Sequence, residues 1–471
     1  MARHYYAAGR LGVLRKRWLL LALLATVAIS MLILLLMNSP FESCDRACQV
    51  KRKAKVRPVV VSPGGGGLSM NPLAFMKSKL VLLVSHEMSL SGGPLLLMEL
   101  AYMLRGVGAK VCWITVQVSS ESDDVVDNLE HKLLSRGVQI FSAKDQAAVG
   151  IALKADIVVL NTAVSGKWLD TLKTNVPHIL PKVLWWIHEM RGHYFKLEYV
   201  KYLPMVAGAM IDSHVTAAYW RNRTQDRLKI IMPQTYVVHL GNSKDLMEVA
   251  ESGVARRVLR EHVRELLGVR QEDLLFGIIN SVSRGKGQDL FLQAFHQSML
   301  LMRKKKIQLP SIHAVIVGSD LSAQTKFESE LRNLTRSKQI QNRVHFINKT
   351  LAVAPYLSAI DVLVQNSQAR GECFGRITIE AMAFHLPVLG TAAGGTTEIV
   401  ANGSTGLLHP VGKMGVIPLA KNMIKLATHV EQRLTMGRRG YERVKEMFLE
   451  VHMAQRISTV FSDVLGKSKS H

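Results

Sequence analysis

Cysteine is scarce in this chain, with four residues in 471: Cys44, Cys48, Cys112 and Cys373. Four are too few for a disulfide framework, and their spacing forms no metal-ligand set. Cys44 and Cys48 could pair with each other outside the cytosol, whereas Cys112 sits in an apolar run and reads as a small buried hydrophobe. Acidic residues are also few. Asp plus Glu number 36 against 60 Lys plus Arg, a net charge of +24, and such a balance points to anionic partners: nucleic acid, an acidic membrane face or phosphorylated substrates. The excess is uneven, since residues 1–57 carry 11 basic and 2 acidic side chains. No G-x-G-x-x-G follows the first apolar strand; Ser89-Leu-Ser-Gly-Gly-Pro94 stands there, which speaks against a dinucleotide-binding dehydrogenase. No D-x-D-like pair occupies a loop where a divalent ion would be needed, so metal-independent chemistry without metal ligands is expected. What is abundant is apolar material. At 48% hydrophobic and 20% charged residues, the chain is neither disordered nor fibrous, and its length suits two domains plus appendages.

Trp18 to Met37 is a run of 20 residues without a charge, long enough at ~1.5 Å per residue to span a hydrocarbon core of about 30 Å. Arg10, Arg15, Lys16 and Arg17 precede it, which keeps residues 1–17 cytosolic and predicts a signal anchor over 18–37 with the body on the lumenal side. A cleaved signal peptide fits less well, because the apolar core is too long and no small-residue cleavage site follows closely. No later stretch approaches 18 apolar residues, so one span is expected. Four acceptor sequons, at Asn222, Asn333, Asn348 and Asn402, agree with a lumenal body. Residues 38–76, with Pro40, a basic cluster, Pro58, Pro63 and Gly64 to Gly67, read as a flexible stem.

From Lys79 onward, apolar strands alternate with amphipathic helices. LVLLVS (80–85), KVCWITVQV (110–118), DIVVLNT (156–162) and KVLWWIHE (182–189) predict buried parallel strands of a Rossmann-like domain over 77–242. Residues 243–270 read as a linker, an amphipathic helix over 243–267 burying Leu246, Val249, Val254, Val258 and Leu266, with Gly268 as its C-cap. The pattern then restarts: strands at 274–282, 312–319, 343–348, 361–367 and 386–391 predict a second Rossmann-like domain over 271–440, and 441–471 remain as a helix and tail. Two such units imply an α/β architecture with a cleft between them and ligands beyond the carboxyl ends of the strands.

The densest chemical signal lies between 361 and 408. Glu372 stands in a loop just before Phe374-Gly375, and Glu380 lies in the second turn of the helix that follows. The next strand opens into Gly394-Gly395-Thr396-Thr397-Glu398, where paired glycines let backbone N–H groups approach a phosphate. A lone Gly-Gly serves any ordinary loop, and a lone Glu380 any solvated helix face; together with Glu372 they form a cradle for a nucleotide diphosphate.

This stretch strongly resembles glycosyltransferase family 4, retaining enzymes of the GT-B fold marked by E-x7-E and then GG-x-x-E. Glu372-Cys-Phe-Gly-Arg-Ile-Thr-Ile-Glu380 matches the first motif, Gly394-Gly-Thr-Thr-Glu398 the second, and Asn402-Gly-Ser-Thr-Gly406 the usual continuation. The resemblance implies that Glu380 binds the ribose hydroxyls of the nucleotide. Glu372 would contact the donor sugar near its reacting face, and Phe374 and Gly375 would offer backbone N–H groups to it. Gly394, Gly395 and Thr396 would border the diphosphate. The family's Lys-Gly pair is matched by Lys286-Gly287, but its arginine position is held by about Ser281, so Arg284 would have to substitute from a shifted loop. In the first half, Gly92 and Gly93 resemble the family's cleft-facing glycine loop, and His188 its cleft histidine; His86-Glu87 could face the acceptor, and Trp185 and Trp186 read as core and cleft wall. The resemblance implies retention of configuration, with Lys286 and helix N-termini stabilising the departing diphosphate and no cofactor beyond a nucleotide-sugar cosubstrate, a UDP-sugar by family habit. A glycan or glycoprotein acceptor and a single-pass type II Golgi membrane protein follow, in a plant-like member to judge by the Ser283-Arg-Gly-Lys-Gly-Gln288 loop. A non-catalytic GT-B-like subunit of a Golgi complex is the alternative; nucleic acid as a partner is disfavoured by the lumenal body.

Overall fold

The computed structural model describes residues 71–89, 92–116, 124–190, 192–308, 310–320 and 325–467. The apolar run Trp18–Met37 and the Cys44–Cys48 pair lie outside them. Among the described residues, no helix is long and apolar enough to cross a membrane.

Two parallel sheets organise the body. The first contains β1 (Leu80–Ser85), β2 (Lys110–Thr115), β3 (Gln139–Ser142), β4 (Ile157–Asn161), β5 (Val183–Ile187), β6 (Gly208–Ile211) and β7 (Thr235–Val237), in the order β3-β2-β1-β4-β5-β6-β7. The second contains β8 (Leu274–Ile279), β9 (Ile312–Ser319), β10 (Val344–Asn348), β11 (Val362–Gln365), β12 (Val388–Thr391) and β13 (Gly406–His409), in the order β10-β9-β8-β11-β12-β13. Continuous apolar runs form the central strands because helices cover both faces: every residue of β4, β5 and β8 is buried. Trp185 and Trp186 are both fully buried, and Cys112 is a buried free thiol, as expected. In each sheet the strand order reverses beside the first strand, which directs ligands to the carboxyl ends there.

The strands β3, β6, β7 and β13 were not foreseen. They are three or four residues long, and three of them stand at the edge of a sheet. The stem expected to reach residue 76 stops earlier: Leu73 and Met76 are fully buried, and Asn71 Oδ1 accepts from the Leu73 amide. A second correction concerns the linker. Ser252 breaks the expected helix into Lys244–Glu251 and Gly253–Leu267, its extended backbone and side chain capping the second piece through the Ala255 amide; a serine N-cap favours such a restart. The break changes the helical phase. Val254, Val258 and Leu266 stand 72%, 57% and 72% exposed, and Val263 and Arg264 face inward instead. Gly268 does cap the helix in the left-handed conformation.

The boundary expected at residue 440 falls inside the helix Val430–Met447. The last helix, Glu450–Lys467, crosses back to the first half, where Ile457, Val460, Phe461 and Val464 share a core with Leu83, Val159 and Trp186. Two crossings therefore join the halves side by side: the Asn242 amide donates to Phe448 O at 2.8 Å and the Glu450 amide to Asn242 O at 3.0 Å.

Candidate active site

Three loops of the second half converge. After β8, Arg284–Lys286 makes a tight turn closed by Gly287, whose φ of +67° opens the helix Gln288–Lys304. A side chain there would meet Asn366 O at 2.4 Å; instead Asn366 Nδ2 donates to Gly287 O at 2.7 Å, and the Gln368 amide to Gly285 O at 2.8 Å. After β11 comes Glu372, whose carboxylate takes the Lys286 ammonium and the Ser367 hydroxyl. After β12 comes the Gly394-Gly395 turn. Gly394 has φ +59°, and a Cβ on it would lie 2.2 Å from Glu372 O, so only glycine lets the two loops pair. The Gly395 amide donates to Glu372 O at 2.8 Å, so that donor is engaged by the chain itself. Thr396 is fully buried with its hydroxyl unpartnered.

The remaining expected residues of this half are placed as follows. Gly375 precedes the helix Arg376–Ala383 as its cap. Phe374 is buried, its ring stacked on His239 at 5.6 Å and edge-on to Phe448 at 5.8 Å, a wall beneath the loop. Arg284 is not brought to the cluster: its guanidinium pairs with Glu330 and lies 4.7 Å over the Phe327 ring, with the side chain 65% exposed. Glu380 Oε1 accepts from Arg376 Nε at 2.8 Å, and Arg376 also pairs with Glu99 from the first half. Burial pushes the Cys373 thiol well up, which removes it as a thiolate nucleophile at neutral pH.

In the first half, strand ends supply side chains. His188, just past β5, sits between Asp212 Oδ2, 2.8 Å from Nδ1, and Asn161 Oδ1, 2.8 Å from Nε2. Burial works to lower its pKa, but the Asp212 carboxylate and, more weakly, Glu189 prevail and hold it above the ordinary histidine value. The Asp212 carboxylate thus favours the protonated form of the ring. Glu189 is buried and accepts from the Ala163 and His188 amides at 2.9 and 3.0 Å; burial raises its pKa. Gly93 lies against this group, since a Cβ on it would be 3.3 Å from Asn161 Nδ2 and Thr162 Cγ2, whereas one on Gly92 would meet nothing within 4 Å. His86 Nδ1 and the Thr162 hydroxyl are 3.0 Å apart, and burial lowers the His86 pKa against the pull of Glu87.

The halves meet through these loops. Glu398 of the GG-x-x-E turn accepts from the His214 and Val215 amides at 3.1 and 2.8 Å, at the start of the helix His214–Leu228, and its Oε2 lies 2.9 Å from His239 Nε2. The Cys373 carbonyl takes the Ser213 and Thr216 hydroxyls. The ligating atoms of His214, His239 and Glu398 lie within 4.8 Å of one another, a set of the right type for a divalent cation, although both Glu398 oxygens are already engaged. Asn161, Asp212, Glu99, Arg376 and His239 are the site residues that sequence reasoning missed. Each becomes meaningful only through a partner 24 or more residues away, apart from the Arg376–Glu380 spacing of four on one helix.

Residues 77–255 match the family profile described as Glycosyl-transferase family 4, and residues 260–443 the one described as Glycosyl transferases group 1. Each half of the chain thus matches a glycosyltransferase family profile. A 137-residue stretch, 29% of the chain, is 34% identical to the N-acetyl-alpha-D-glucosaminyl L-malate synthase of Bacillus anthracis and covers 35% of that protein. A 179-residue stretch, 38% of the chain, is 27% identical to the lipopolysaccharide core biosynthesis mannosyltransferase LpsB of Rhizobium meliloti and covers 46% of it. The matched stretches thus span about a third to a half of the length of these curated relatives. Among solved structures, Anabaena Alr3699/HepE in complex with UDP and glucose aligns with a TM-score of 0.66 at 19% identity, over 82% of this chain and 99% of that one. Sucrose-phosphate synthase of Thermosynechococcus elongatus gives 0.62 at 18% identity, over 82% and 99%. At such identities the likeness is one of fold, the two facing α/β domains of GT-B.

Proposed function

We propose that the chain is a retaining, metal-independent glycosyltransferase that moves a sugar from a nucleotide diphosphate sugar, a UDP-sugar, to a glycan or glycoprotein acceptor. The observation that carries this reading is the convergence of Lys286, Glu372 and the Gly394 turn from three separate loops. As the anomeric carbon gains oxocarbenium character, negative charge grows on the departing diphosphate. Lys286 answers that charge without a metal, competing away from Glu372, while Glu372 positions the sugar. His188 faces the far side of the sugar from the opposite half. The Anabaena protein's complex with UDP and glucose supports the choice of nucleotide by analogy of fold.

Donor hydrolysis by the purified full-length chain, screened over a panel of sugar nucleotides, tests the reading. Lys286→Ala is expected to cut turnover by ~10²-fold or more at saturating donor; near-normal turnover removes Lys286 from the mechanism. Arg284 turned towards Glu330 favours a second reading, a binding subunit; it predicts UDP binding without hydrolysis of any donor.

Anchoring by Trp18–Met37 as a single-pass type II Golgi protein belongs to the same proposal. The four sequon asparagines, Asn222, Asn333, Asn348 and Asn402, are exposed, and Asn348 ends β10. A glycosidase-sensitive mobility shift that Asn348→Gln reduces supports a lumenal body; no shift in any cell that glycosylates overturns it.

A further inference from the structure

Arg376 is the first residue of its helix, and its guanidinium reaches both halves beside a residue of the donor site. Its Nε donates to Glu380 Oε1 at 2.8 Å, one turn along, and its Nη2 pairs with Glu99 on the helix Gly92–Gly106 of the opposite half. The three side chains are 22%, 11% and 16% exposed, so the group is mostly shielded from water and the pairing is sensitive to its completeness. Burial raises the Glu99 carboxyl against the pull of Arg376, and Glu380 and Glu450 add to that rise. The Arg376 cation is the group that opposes that rise.

We propose that Arg376 is a positioning residue tying the nucleoside end of the donor site to closure of the cleft: its fork fixes Glu380 for the ribose hydroxyls and, with its other arm, takes Glu99 from the far half. The inference rests on the donor reading given above. Other contacts between the halves start from the same donor loops: the Cys373 carbonyl on Ser213 and Thr216, the Phe374 ring on His239, and Glu398 on the start of the helix His214–Leu228. Arg376 differs from them in sharing its guanidinium with a residue assigned to the nucleotide. Linkage then requires reciprocity: if closure tightens nucleotide binding by some factor, nucleotide favours closure by the same factor.

The test uses the full chain with UDP as probe, measured by calorimetry, and small-angle scattering of the empty and UDP-loaded forms. Glu99→Gln is expected to weaken UDP binding about 5- to 10-fold although Glu99 stands on the opposite half, and to enlarge the empty chain, with excess UDP restoring compactness. Arg376→Gln should weaken UDP binding more. The double variant should be no worse than Arg376→Gln alone. Arg376→Lys, which keeps the charge and loses the fork, should restore compactness more than affinity, a split that general destabilisation would not produce. UDP affinity of Glu99→Gln within about twofold of the parent, with unchanged scattering, overturns the inference. Should the parent chain bind no nucleoside diphosphate, the donor reading fails by itself. Scattering then decides the strut: an expanded Glu99→Gln supports it and an unchanged one overturns it.

Discussion

In the second half, the loops that meet at Lys286 are held largely by main chain: the Gly395 amide on Glu372 O, the Gln368 amide on Gly285 O, and the Glu372–Gly394 bridge. In the first half, the equivalent strand ends are held by side chains: His188 between Asp212 and Asn161, Glu189 on two amides, Trp186 Nε1 on Asp212 Oδ1 at 2.9 Å. The same topology thus presents two surfaces of different kinds. A main-chain cradle is insensitive to pH and intolerant of any added Cβ; a side-chain cradle tolerates small steric change and depends on which groups are ionised.

The strongest test of that contrast is Gly394→Ala. The new methyl would sit 2.2 Å from Glu372 O and 2.8 Å from Arg370 O, both backbone atoms, so the two loops must part. Donor hydrolysis or UDP affinity should fall by about 10²-fold or more; a fall of less than about tenfold would show that the turn can flex, and the contrast would fail. Next comes Asp212→Ala, which strips the buried His188 of its carboxylate partner and should cost ~3 kcal/mol in denaturant unfolding. Asp212→Asn sharpens the comparison through pH. In the parent chain the His188 pKa lies above its unfolded value, so its contribution to stability is full below about pH 6.5 and is lost as pH rises through the folded value. An imidazole titration followed by NMR should show a midpoint above 6.5 in the parent and a lower one in Asp212→Asn, where burial acts with less opposition. The smallest effect belongs to Gly92→Ala. With nothing within 4 Å of the new Cβ, stability and UDP affinity should stay within about 0.5 kcal/mol of the parent, while Gly93→Ala, pressed on Asn161 and Thr162, should fall measurably lower.

The contrast also explains what could be read in advance. Glutamates and glycines at fixed spacing around Phe374-Gly375 are legible because a main-chain cradle writes its requirements into a short continuous stretch. Asp212 and Asn161 carry no such mark: a polar residue at a strand end is ordinary, and only the adjacency of β4, β5 and β6 delivers both to His188. The long apolar strands were legible from burial on both faces, whereas β3, with no fully buried residue, was not. Arg264 is the clearest illegible element of the core. It is wholly buried, binding the Ala359, Arg270 and Asp273 carbonyls and the Asp361 carboxylate. An amphipathic reading of its helix puts valines there instead, because periodicity ranks residues by hydropathy and cannot foresee a convergence of carbonyls.

The returning helix Glu450–Lys467 has a consequence for synthesis. The apolar side chains Ile457, Val460, Phe461 and Val464 complete a core that also holds Leu73 and Met76, so the first α/β unit is sealed by a helix made after the second. Until the helix Glu450–Lys467 is made, that seam is open and sticky, and a nascent chain stalled before residue 450 would present it to chaperones.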